Sequence, residues 1–245
     1  VNNNFNNYIH YDVDIRNYND LLKIFSNYST DITLIVHTAA QPSHDWAATN
    51  PFADFNTNAL GTLNMLEITR NYFSDAVFIF TSTNKVYGDL PNTITEYTES
   101  GSRFNPVNSD FILNGIKESL SIDQCKHSLF VVSKAYGDLI TQEYGKYFGL
   151  KTGTFRGGCL TGQNHSGVKA HGFLSYLVKC AMTGEKYYIN GYKGKQVRDN
   201  IHSSDVVSAF YEFYKNPNSG EVYNIGGGNL SNCSILEAIE LIHEI

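Results

Sequence analysis

A polar segment at residues 82–89 (STNKVYGD) directly follows an apolar stretch of the kind that forms a buried strand. Open α/β sheets place their chemistry at the carboxyl ends of parallel strands, so this segment is a candidate for part of an active site. Its residue types also favour turns, and a plain turn at the end of the strand is the alternative. The segment alone is equally compatible with both interpretations.

Three further features favour a site over a plain turn. The segment HTAAQPS at residues 37–43 follows the preceding apolar stretch, and its small residues would allow a cofactor to approach the backbone closely. The pair Asp14 and Ile15 ends the first strand-like stretch, and Ser133 and Lys134 lie inside a helical pattern. Polar groups therefore follow several successive strands, as they do around a ligand-binding cleft.

Apolar periodicity predicts alternating strands and helices in the first part of the chain. The predicted strands are 8–11, 32–38, 76–81 and 150–155, and the predicted helices are 17–28 (capped by Asn17), 51–73 and 128–148 (interrupted at Gly145). Residues 88–126 are expected to form a long irregular loop. This order predicts an α/β fold with a doubly wound, Rossmann-like parallel sheet and right-handed crossovers.

The pattern changes after about residue 157, which suggests a smaller C-terminal substrate-binding lobe. Its predicted elements are short strands at 187–189, 197–201 and 222–225, and helices at 171–183, 203–215 and 233–245. We therefore expect a partial Rossmann domain over residues 1–156 and a smaller partial lobe over 157–245. Some segments of the second part are expected to return to the main sheet.

Composition excludes several classes of function. The formal net charge is −6, which does not indicate a nucleic-acid-binding surface. No apolar run approaches the length of a membrane span, and the first residues do not resemble a signal peptide. The four cysteines form no CxxC pair, so no metal site is expected. A cytoplasmic location is the default expectation for such a chain.

The order of short motifs resembles the extended short-chain dehydrogenase/reductases that act on nucleotide sugars. The motifs are DI (14–15), HxAA (37–40), NxxGTxNxLE (58–67), STNKVYGD (82–89), SK (133–134) and KQVRDNIH (195–202). Sugar-nucleotide 4,6-dehydratases carry Asp-Glu after the threonine that corresponds to Thr83. The triplet Thr83, Asn84 and Lys85 instead resembles the CDP-paratose (CDP-tyvelose) 2-epimerases.

The resemblance implies NAD as the cofactor, a nucleotide sugar as the substrate, and roles for individual positions. Catalytic positions would be Thr83, Asn84, Lys85, Lys134 and the position now held by Phe130. Cofactor contacts would come from Asp14, Ile15, Ala39, Ala40, Gln41, Asn58, Thr81, Ser82 and Lys134. Substrate contacts would come from Gln41, Thr83, Arg156, Gly172, Phe173 and Arg198.

Several of these roles have alternatives. Arg198 would pair with the substrate diphosphate because its planar guanidinium matches phosphate oxygens, whereas a salt bridge to Asp199 or Asp205 is the alternative. His165 and His171 are candidates for substrate contact, although a single histidine is more often structural. Glycines in the segments 155–167 and 224–228 (NIGGG) would permit tight backbone near the ligands.

One position departs from the family pattern. The superfamily's base is a tyrosine four residues before the lysine, and here that residue is Phe130. Phenylalanine has no hydroxyl group and cannot accept a proton. The chain is then a non-catalytic relative, a subgroup in which another group acts as the base, or a case of shifted register. Lys85, Glu118 and Asp123 are the first substitutes to consider.

The resemblance also implies expectations for the whole protein. The favoured reaction is epimerisation at C2 of a CDP-hexose through a transient ketone, and the alternatives are another nucleotide-sugar epimerase or dehydratase, or an NAD-binding relative without catalysis. A homodimer through helices 50–73 and 128–148 is expected by analogy. No GxGxxG turn opens the chain, and the chain stops at Ile245 inside a helical pattern, so both ends are expected to be truncated. The chain as given is expected not to bind NAD.

Overall fold

The structure is a computed structural model that describes residues 7–28, 30–168 and 172–245. Its main sheet has four parallel strands in the order β1-β2-β5-β8, which confirms the predicted α/β fold with a parallel sheet. The strands are β1 (Leu34–His37), β2 (Val77–Thr83), β5 (Lys151–Gly157) and β8 (Glu221–Ile225).

Alternate residues of β2 point to opposite faces of this sheet. Helices cover both faces. Phe78 and Phe80 pack on one face with the helices α1 (Tyr18–Phe25), α4 (Gly61–Tyr72) and α6 (Leu129–Phe148). Val77 and Ile79 pack on the other face with Phe155 and with Phe213 of α8 (Ser203–Lys215). This two-sided burial explains the continuous apolar run in the sequence of β2.

The helical predictions hold in position, with local differences. Asn17 caps α1, since its side chain accepts a hydrogen bond from the backbone N–H of Asp20. The predicted helix 51–73 begins with Pro51 and consists of α3 (Pro51–Phe55), a π-helical turn (Asn56–Leu60) and α4. The short helix α2 (His44–Thr49), which precedes it, was not predicted.

Gly145 does not interrupt α6, so that prediction was wrong. The helix is continuous, and a Cβ atom at position 145 would lie 2.2 Å from the backbone nitrogen of Gly220 and 2.4 Å from Oγ1 of Thr152. The glycine therefore allows close packing of the helix on the loop before β8. A helix-weakening residue is kept here because a neighbouring segment leaves no room for a side chain.

Two predicted strands do not form. Residues 8–11 and 187–189 lie in irregular structure, because no strand of the described residues pairs with either of them. Residues 88–126, predicted as a loop, instead contain a hairpin of β3 (Tyr97–Ser100) and β4 (Arg103–Pro106) and a short helix α5 (Ser109–Asn114). The polar composition of that region concealed its local pairing.

The C-terminal part contributes to two sheets. A small sheet joins the strands β6 (Cys159–Thr161), β7 (Val197–His202) and β9 (Asn232–Ser234), beside the helices α7 (Phe173–Thr183) and α9 (Ile235–Glu244). β8 and α8 lie instead against the main sheet. The domain boundary after residue 156 stays a prediction. Within the described residues, no helix is both long and apolar enough to cross a membrane.

Candidate functional site

The carboxyl end of β2 meets the first turns of α6. Thr83, the last residue of β2, is half-buried, and its hydroxyl accepts a hydrogen bond from the backbone N–H of Lys85 at 3.2 Å. Two residues earlier, the carbonyl oxygen of Thr81 accepts a hydrogen bond from Nζ of Lys134 at 2.7 Å. Two of the predicted catalytic positions, Thr83 and Lys134, therefore lie at the same edge of the sheet.

Lys134 is a buried cation with few partners. Its side chain is 5% exposed, and Nζ lies 4.2 Å from the centroid of the Phe80 ring. Burial lowers the pKa of the Lys134 amine to about 8, against the opposing influence of the Asp138 carboxylate. The amine thus gains or loses a proton near neutral pH at low cost, which suits a group that works beside a reacting hydroxyl.

Phe130 lies one helical turn before Lys134, at the position that the resemblance assigns to a tyrosine. It is 7% exposed and packs with Ala47 and Val131. Its ring also contacts the imidazole of His44 edge to face, with 4.8 Å between the ring centroids. Phe130 therefore holds the predicted position in α6, and the interpretation of its missing hydroxyl stays a prediction.

Arg156 and Asp138 form a buried ion pair behind the end of β2. Asp138 is 0% exposed, and it accepts hydrogen bonds from Nε and Nη2 of Arg156 at 2.9 and 2.8 Å. Burial lowers the pKa of Arg156, but the hydrogen bonds and charge of Asp138 outweigh it and raise the pKa overall. Ser82 donates to the same carboxylate at 2.5 Å. This geometry favours a positioning role for Arg156 over the substrate contact that the sequence suggested.

The ion pair continues into a polar network that the sequence did not indicate. Nη1 of Arg156 donates to the hydroxyl of Tyr87 at 2.9 Å, and that hydroxyl donates to Oδ1 of Asn224 at 2.8 Å. The backbone N–H of Asn224 donates to the Glu118 carboxylate at 2.8 Å. The network links β2, β5 and β8 to the loop at residues 116–118. The Glu118 carboxylate is thereby held by the backbone of β8.

Asn58 joins the loop after β1 to α6. Its side chain accepts from the backbone N–H of Gln41 at 2.8 Å, and donates to the carbonyl of Gln41 at 3.0 Å and to the hydroxyl of Ser133 at 2.9 Å. The side-chain amide of Gln41 in turn donates to Asp54 at 2.6 Å. Both predicted cofactor residues shape this loop, and their contact with a cofactor stays a prediction.

The remaining motif residues of the helix at 58–67 also have structural partners. Gly61 abuts Ile15, where a Cβ atom would lie 2.5 Å from the Ile15 side chain, and Asn64 donates to the carbonyl of Ile15 at 2.9 Å. Thr62 bonds with the ring of His37 at 3.1 Å. Burial, followed by the charge of Lys134, lowers the pKa of that imidazole to about 3, so His37 is neutral. The motif fixes Ile15 and the end of β1.

Three of the predicted NAD contacts, Asp14, Ala39 and Ala40, have accessible surface. The Asp14 carboxylate is 49% exposed, although it pairs with Arg16, whose hydrogen bonds lower the pKa of Asp14 to about 2. Ala39 is exposed and Ala40 is half-buried. An accessible carboxylate, small residues and the amine of Lys134 fit the hydroxyl and amine groups of a dinucleotide. Thr81 is another predicted cofactor contact, but its hydroxyl donates a hydrogen bond within the protein, to the carbonyl oxygen of His37 at 3.0 Å.

Arg198 lies on β7, is exposed, and donates to the carbonyl of Val197. Asp199 is not its partner, because that carboxylate accepts the backbone N–H groups of Gly227 and Gly228 at 2.9 Å each. Among the ion pairs of the described residues, none involves Arg198. The NIGGG turn therefore serves to hold Asp199, and the guanidinium of Arg198 is left accessible to an anion.

Lys85 belongs to the same region as Arg198. Burial by the surrounding protein lowers the pKa of the Lys85 amine. The nearby Cys159 opposes that change, and the charge of Arg198 adds to it. Part of the Lys85 side chain is nevertheless exposed. Two cations close enough to influence each other generally favour a bound anion. Asn84, between Thr83 and Lys85, is exposed. Asp123, by contrast, lies exposed in a loop, where hydrogen bonds from Ser121 and Gln124 lower its pKa.

The predicted substrate residues after β6 are only partly described. Gly172 has a φ of 77°, caps α7 at Phe173, and lies against the ring of His165, which bonds with the hydroxyl of Ser175 at 3.0 Å. His165 therefore has a structural partner, and its contact with substrate stays a prediction. His171 lies outside the described residues. No cluster of metal-binding side chains occurs among the residues that were described.

The structure thus combines a parallel α/β sheet with a threonine at its carboxyl edge, a buried lysine beside that edge and an accessible arginine on the small sheet. The chain belongs to the NAD dependent epimerase/dehydratase family, whose pattern it matches over residues 2–110 and 114–226. This membership confirms the recognised family and NAD as its cofactor.

Individual relatives agree with this assignment. The chain is 34% identical to the CDP-paratose 2-epimerase of Salmonella typhi, over 94% of this chain and 68% of that protein. It is 30% identical to a dTDP-glucose 4,6-dehydratase of Escherichia coli, over 80% of this chain and 52% of that protein. The solved structure of the Bacillus anthracis dTDP-glucose 4,6-dehydratase in complex with NAD has a TM-score of 0.73 at 24% identity, covering 99% of this chain and 65% of that one. The chain thus spans about half to two thirds of these proteins.

Proposed function

We propose that the protein epimerises a nucleotide sugar with bound NAD, at C2 of a CDP-hexose. The observation that carries the proposal is the position of Thr83 at the end of β2, beside the carbonyl that holds Lys134. The relative from Salmonella typhi, a CDP-paratose 2-epimerase, supports the choice of reaction. When bound, NAD would accept a hydride from the sugar carbon and return it to the opposite face.

The chain's own residues would bind and orient the reactants. The hydroxyl of Thr83 would hydrogen-bond the sugar hydroxyl, and Lys134 would hold the nicotinamide ribose. Arg198, with Lys85 nearby, would bind the diphosphate, because its guanidinium is accessible and lacks an ion-pair partner among the described residues. Asn84 and Lys85 supply no carboxylate where a dehydratase needs an acid and a base, which favours epimerisation over dehydration.

The test uses the full-length protein with NAD and CDP-paratose, and proton NMR follows the C2 epimer. Formation of the epimer, lost in Thr83→Val, supports the proposal. If no epimer forms with CDP-paratose or with a panel of CDP-, GDP- and UDP-hexoses, the proposal fails.

A non-catalytic NAD-binding relative is the second candidate, and Phe130 is the observation that favours it. Such a protein needs the dinucleotide site but not Thr83. NAD binding with no turnover, unchanged in Thr83→Val, would support this candidate. A gain of activity in Phe130→Tyr would then show that only the hydroxyl is missing.

We also propose a cytoplasmic homodimer. On α6, Leu129, Val132 and Leu139 follow a helical spacing and are 51%, 55% and 49% exposed, and Phe55 of α3 lies beside Tyr136 at 6.2 Å between ring centroids. Continuous apolar helix faces of this kind are usually covered by another molecule, here a second copy. Val132→Glu should halve the mass measured by light scattering, whereas Val207→Glu on α8, which is 63% exposed, should leave it unchanged. A monomeric wild-type protein would contradict the proposal.

A further inference from the structure

The turn that carries Thr83, Asn84 and Lys85 has few contacts of its own. It is a single 3₁₀ turn (Asn84–Tyr87) that begins at the end of β2 and is capped by Thr83. Among the hydrogen bonds of the described residues, the side chains of Thr83, Asn84 and Lys85 take part in one, which Thr83 accepts inside the turn. The sheet fixes the start of the turn, so its other end must be held by the residues that close it.

Tyr87 holds that other end of the turn. Its side chain is 2% exposed. The hydroxyl accepts a hydrogen bond from Nη1 of Arg156 at 2.9 Å and donates one to Oδ1 of Asn224 at 2.8 Å. The central carbon of the Arg156 guanidinium also lies 5.0 Å from the centroid of the Tyr87 ring. A buried hydroxyl with both a donor and an acceptor in the protein is committed to those partners, so it fixes the turn and does not meet a substrate.

Arg156 connects Tyr87 to α6. Two other nitrogens of its guanidinium donate to Asp138, which lies one helical turn after Lys134. At the start of the turn, Ser82 donates to the same carboxylate at 2.5 Å. The turn is thereby tied near each of its ends to the helix that carries the lysine.

Asn224 connects Tyr87 to the long loop before α6. Its side-chain NH₂ donates to the carbonyl oxygen of Ile116 at 2.7 Å, and its backbone N–H donates to the Glu118 carboxylate at 2.8 Å. Nη1 of Arg156 also donates to the carbonyl oxygen of Glu118 at 3.1 Å. This loop therefore depends on the same two partners as the tyrosine hydroxyl.

We propose that Tyr87 is a positioning residue for the turn that carries Thr83 and Lys85. Its hydroxyl fixes that turn and the loop at residues 116–118 as one unit. The inference rests on the proposed function, which gives Thr83 the sugar hydroxyl and Lys85 a place near the diphosphate. Because the Tyr87 hydroxyl is buried, its loss changes the reaction only through the residues that it positions.

The first measurement compares Tyr87→Phe with the wild-type full-length protein in the epimerisation assay. The variant keeps the ring and removes only the hydroxyl, so kcat should fall by about 10–10²-fold, as expected when reacting groups are displaced by up to about 1 Å. KM for the nucleotide sugar should change much less, because Arg198 lies on β7, outside this network. The matched control is Tyr97→Phe, since the Tyr97 hydroxyl donates to the carbonyl of Pro91 at 2.9 Å in the same long loop. It should leave kcat unchanged.

A double-mutant cycle tests whether the hydroxyl and Asn224 act together. Asn224→Ala removes the acceptor of the Tyr87 hydroxyl. Combined with Tyr87→Phe, it should lower kcat little further than the more damaging single variant does, because both changes break one unit. Losses that multiply would instead show two independent effects and would overturn the inference.

Hydrogen–deuterium exchange of the full-length protein separates this inference from the proposed function, because it requires no turnover. In Tyr87→Phe, the amides of residues 83–88 and 116–118 should exchange about tenfold faster, the factor that corresponds to one net hydrogen bond. The turn should loosen rather than unfold, since Nε2 of His127 still bonds with the carbonyl of Val86 at 2.8 Å. The amides of α8, on the other face of the sheet, should exchange as in the wild-type protein.

Unchanged exchange in both segments overturns the role of Tyr87, whether or not the wild-type protein turns over. So does a general rise across the main sheet, which would indicate a loss of stability, and so does an undiminished kcat in an active enzyme. If no nucleotide sugar is turned over but exchange rises in the two segments alone, the proposed function fails and the positioning of the turn by Tyr87 is supported.

Discussion

The buried ion pair between Asp138 and Arg156 allows a quantitative test of what holds the site together. Both side chains are almost fully buried, at 0% and 4% exposure, and two hydrogen bonds of 2.8 and 2.9 Å join them. In Asp138→Asn one acceptor oxygen becomes an NH₂ group, which would face a donor of Arg156 or of Ser82. The arginine charge is then buried without a counter-charge.

The expected cost is about 3–5 kcal/mol in the free energy of unfolding, which is typical when one partner of a buried pair is removed. Urea denaturation of the full-length protein, followed by circular dichroism, measures this loss as a lower midpoint at unchanged slope. The matched control is Asp20→Asn in the exposed pair with Lys23, which should cost at most about 1 kcal/mol.

A double variant tests the reasoning further. Asp138→Leu combined with Arg156→Met removes both charges, so it should cost less than Asp138→Asn alone, because no unpaired charge remains. A loss below about 1 kcal/mol in Asp138→Asn, or a double variant less stable than the single one, would refute the view that the unpaired charge dominates.

Three further perturbations follow from individual contacts. Below pH 8, Lys134→Met should raise the free energy of unfolding by about 1–2 kcal/mol, because burial lowers the pKa of the Lys134 amine from 10.5 to about 8. The wild-type protein should gain stability as the pH rises from about 8 to 10.5, and the variant should not. Hydrogen bonds from Arg70 lower the pKa of Glu67 from 4.5 to about 2. The stabilisation that they give should be complete above pH 4.5 and should be lost as the pH falls to about 2. Acid titration of Glu67→Gln should show no such loss. Gly145→Ala, with its Cβ 2.2 Å from the Gly220 nitrogen, should cost about 1–3 kcal/mol in urea denaturation, and no loss would mean that the loop moves freely.

The sequence predicted most of the sheet because burial on both faces leaves a direct trace in composition. The run VFIFT of β2 is apolar since alternate residues pack on opposite helical layers. Residues 8–11 (YIHY) were also predicted as a strand, but no strand of the described residues pairs with them. Apolar periodicity reports which residues can be buried, and pairing depends on what lies next to them.

The candidate site was predictable as a set of positions but not as a set of partners. Thr83 and Lys134 lie where the motifs placed them, at the edge of the sheet. The resemblance assigned Arg156 to the substrate, whereas its partner Asp138 lies 18 positions earlier on α6. Such a pairing across two elements leaves no spacing signal in the sequence.

The same limit explains why the contact between His44 and Phe130 was not predicted. It lies 86 positions before Phe130 in the chain, and only the packing of α2 on α6 brings the two rings to 4.8 Å. The departure at Phe130 was visible in the sequence, whereas the ring that packs against it was visible only in the structure. A family motif that loses one residue is therefore best examined by asking which side chain the fold brings to that position. Here that side chain is the imidazole of His44, whose Nδ1 bonds with the hydroxyl of Ser128, the residue that caps α6.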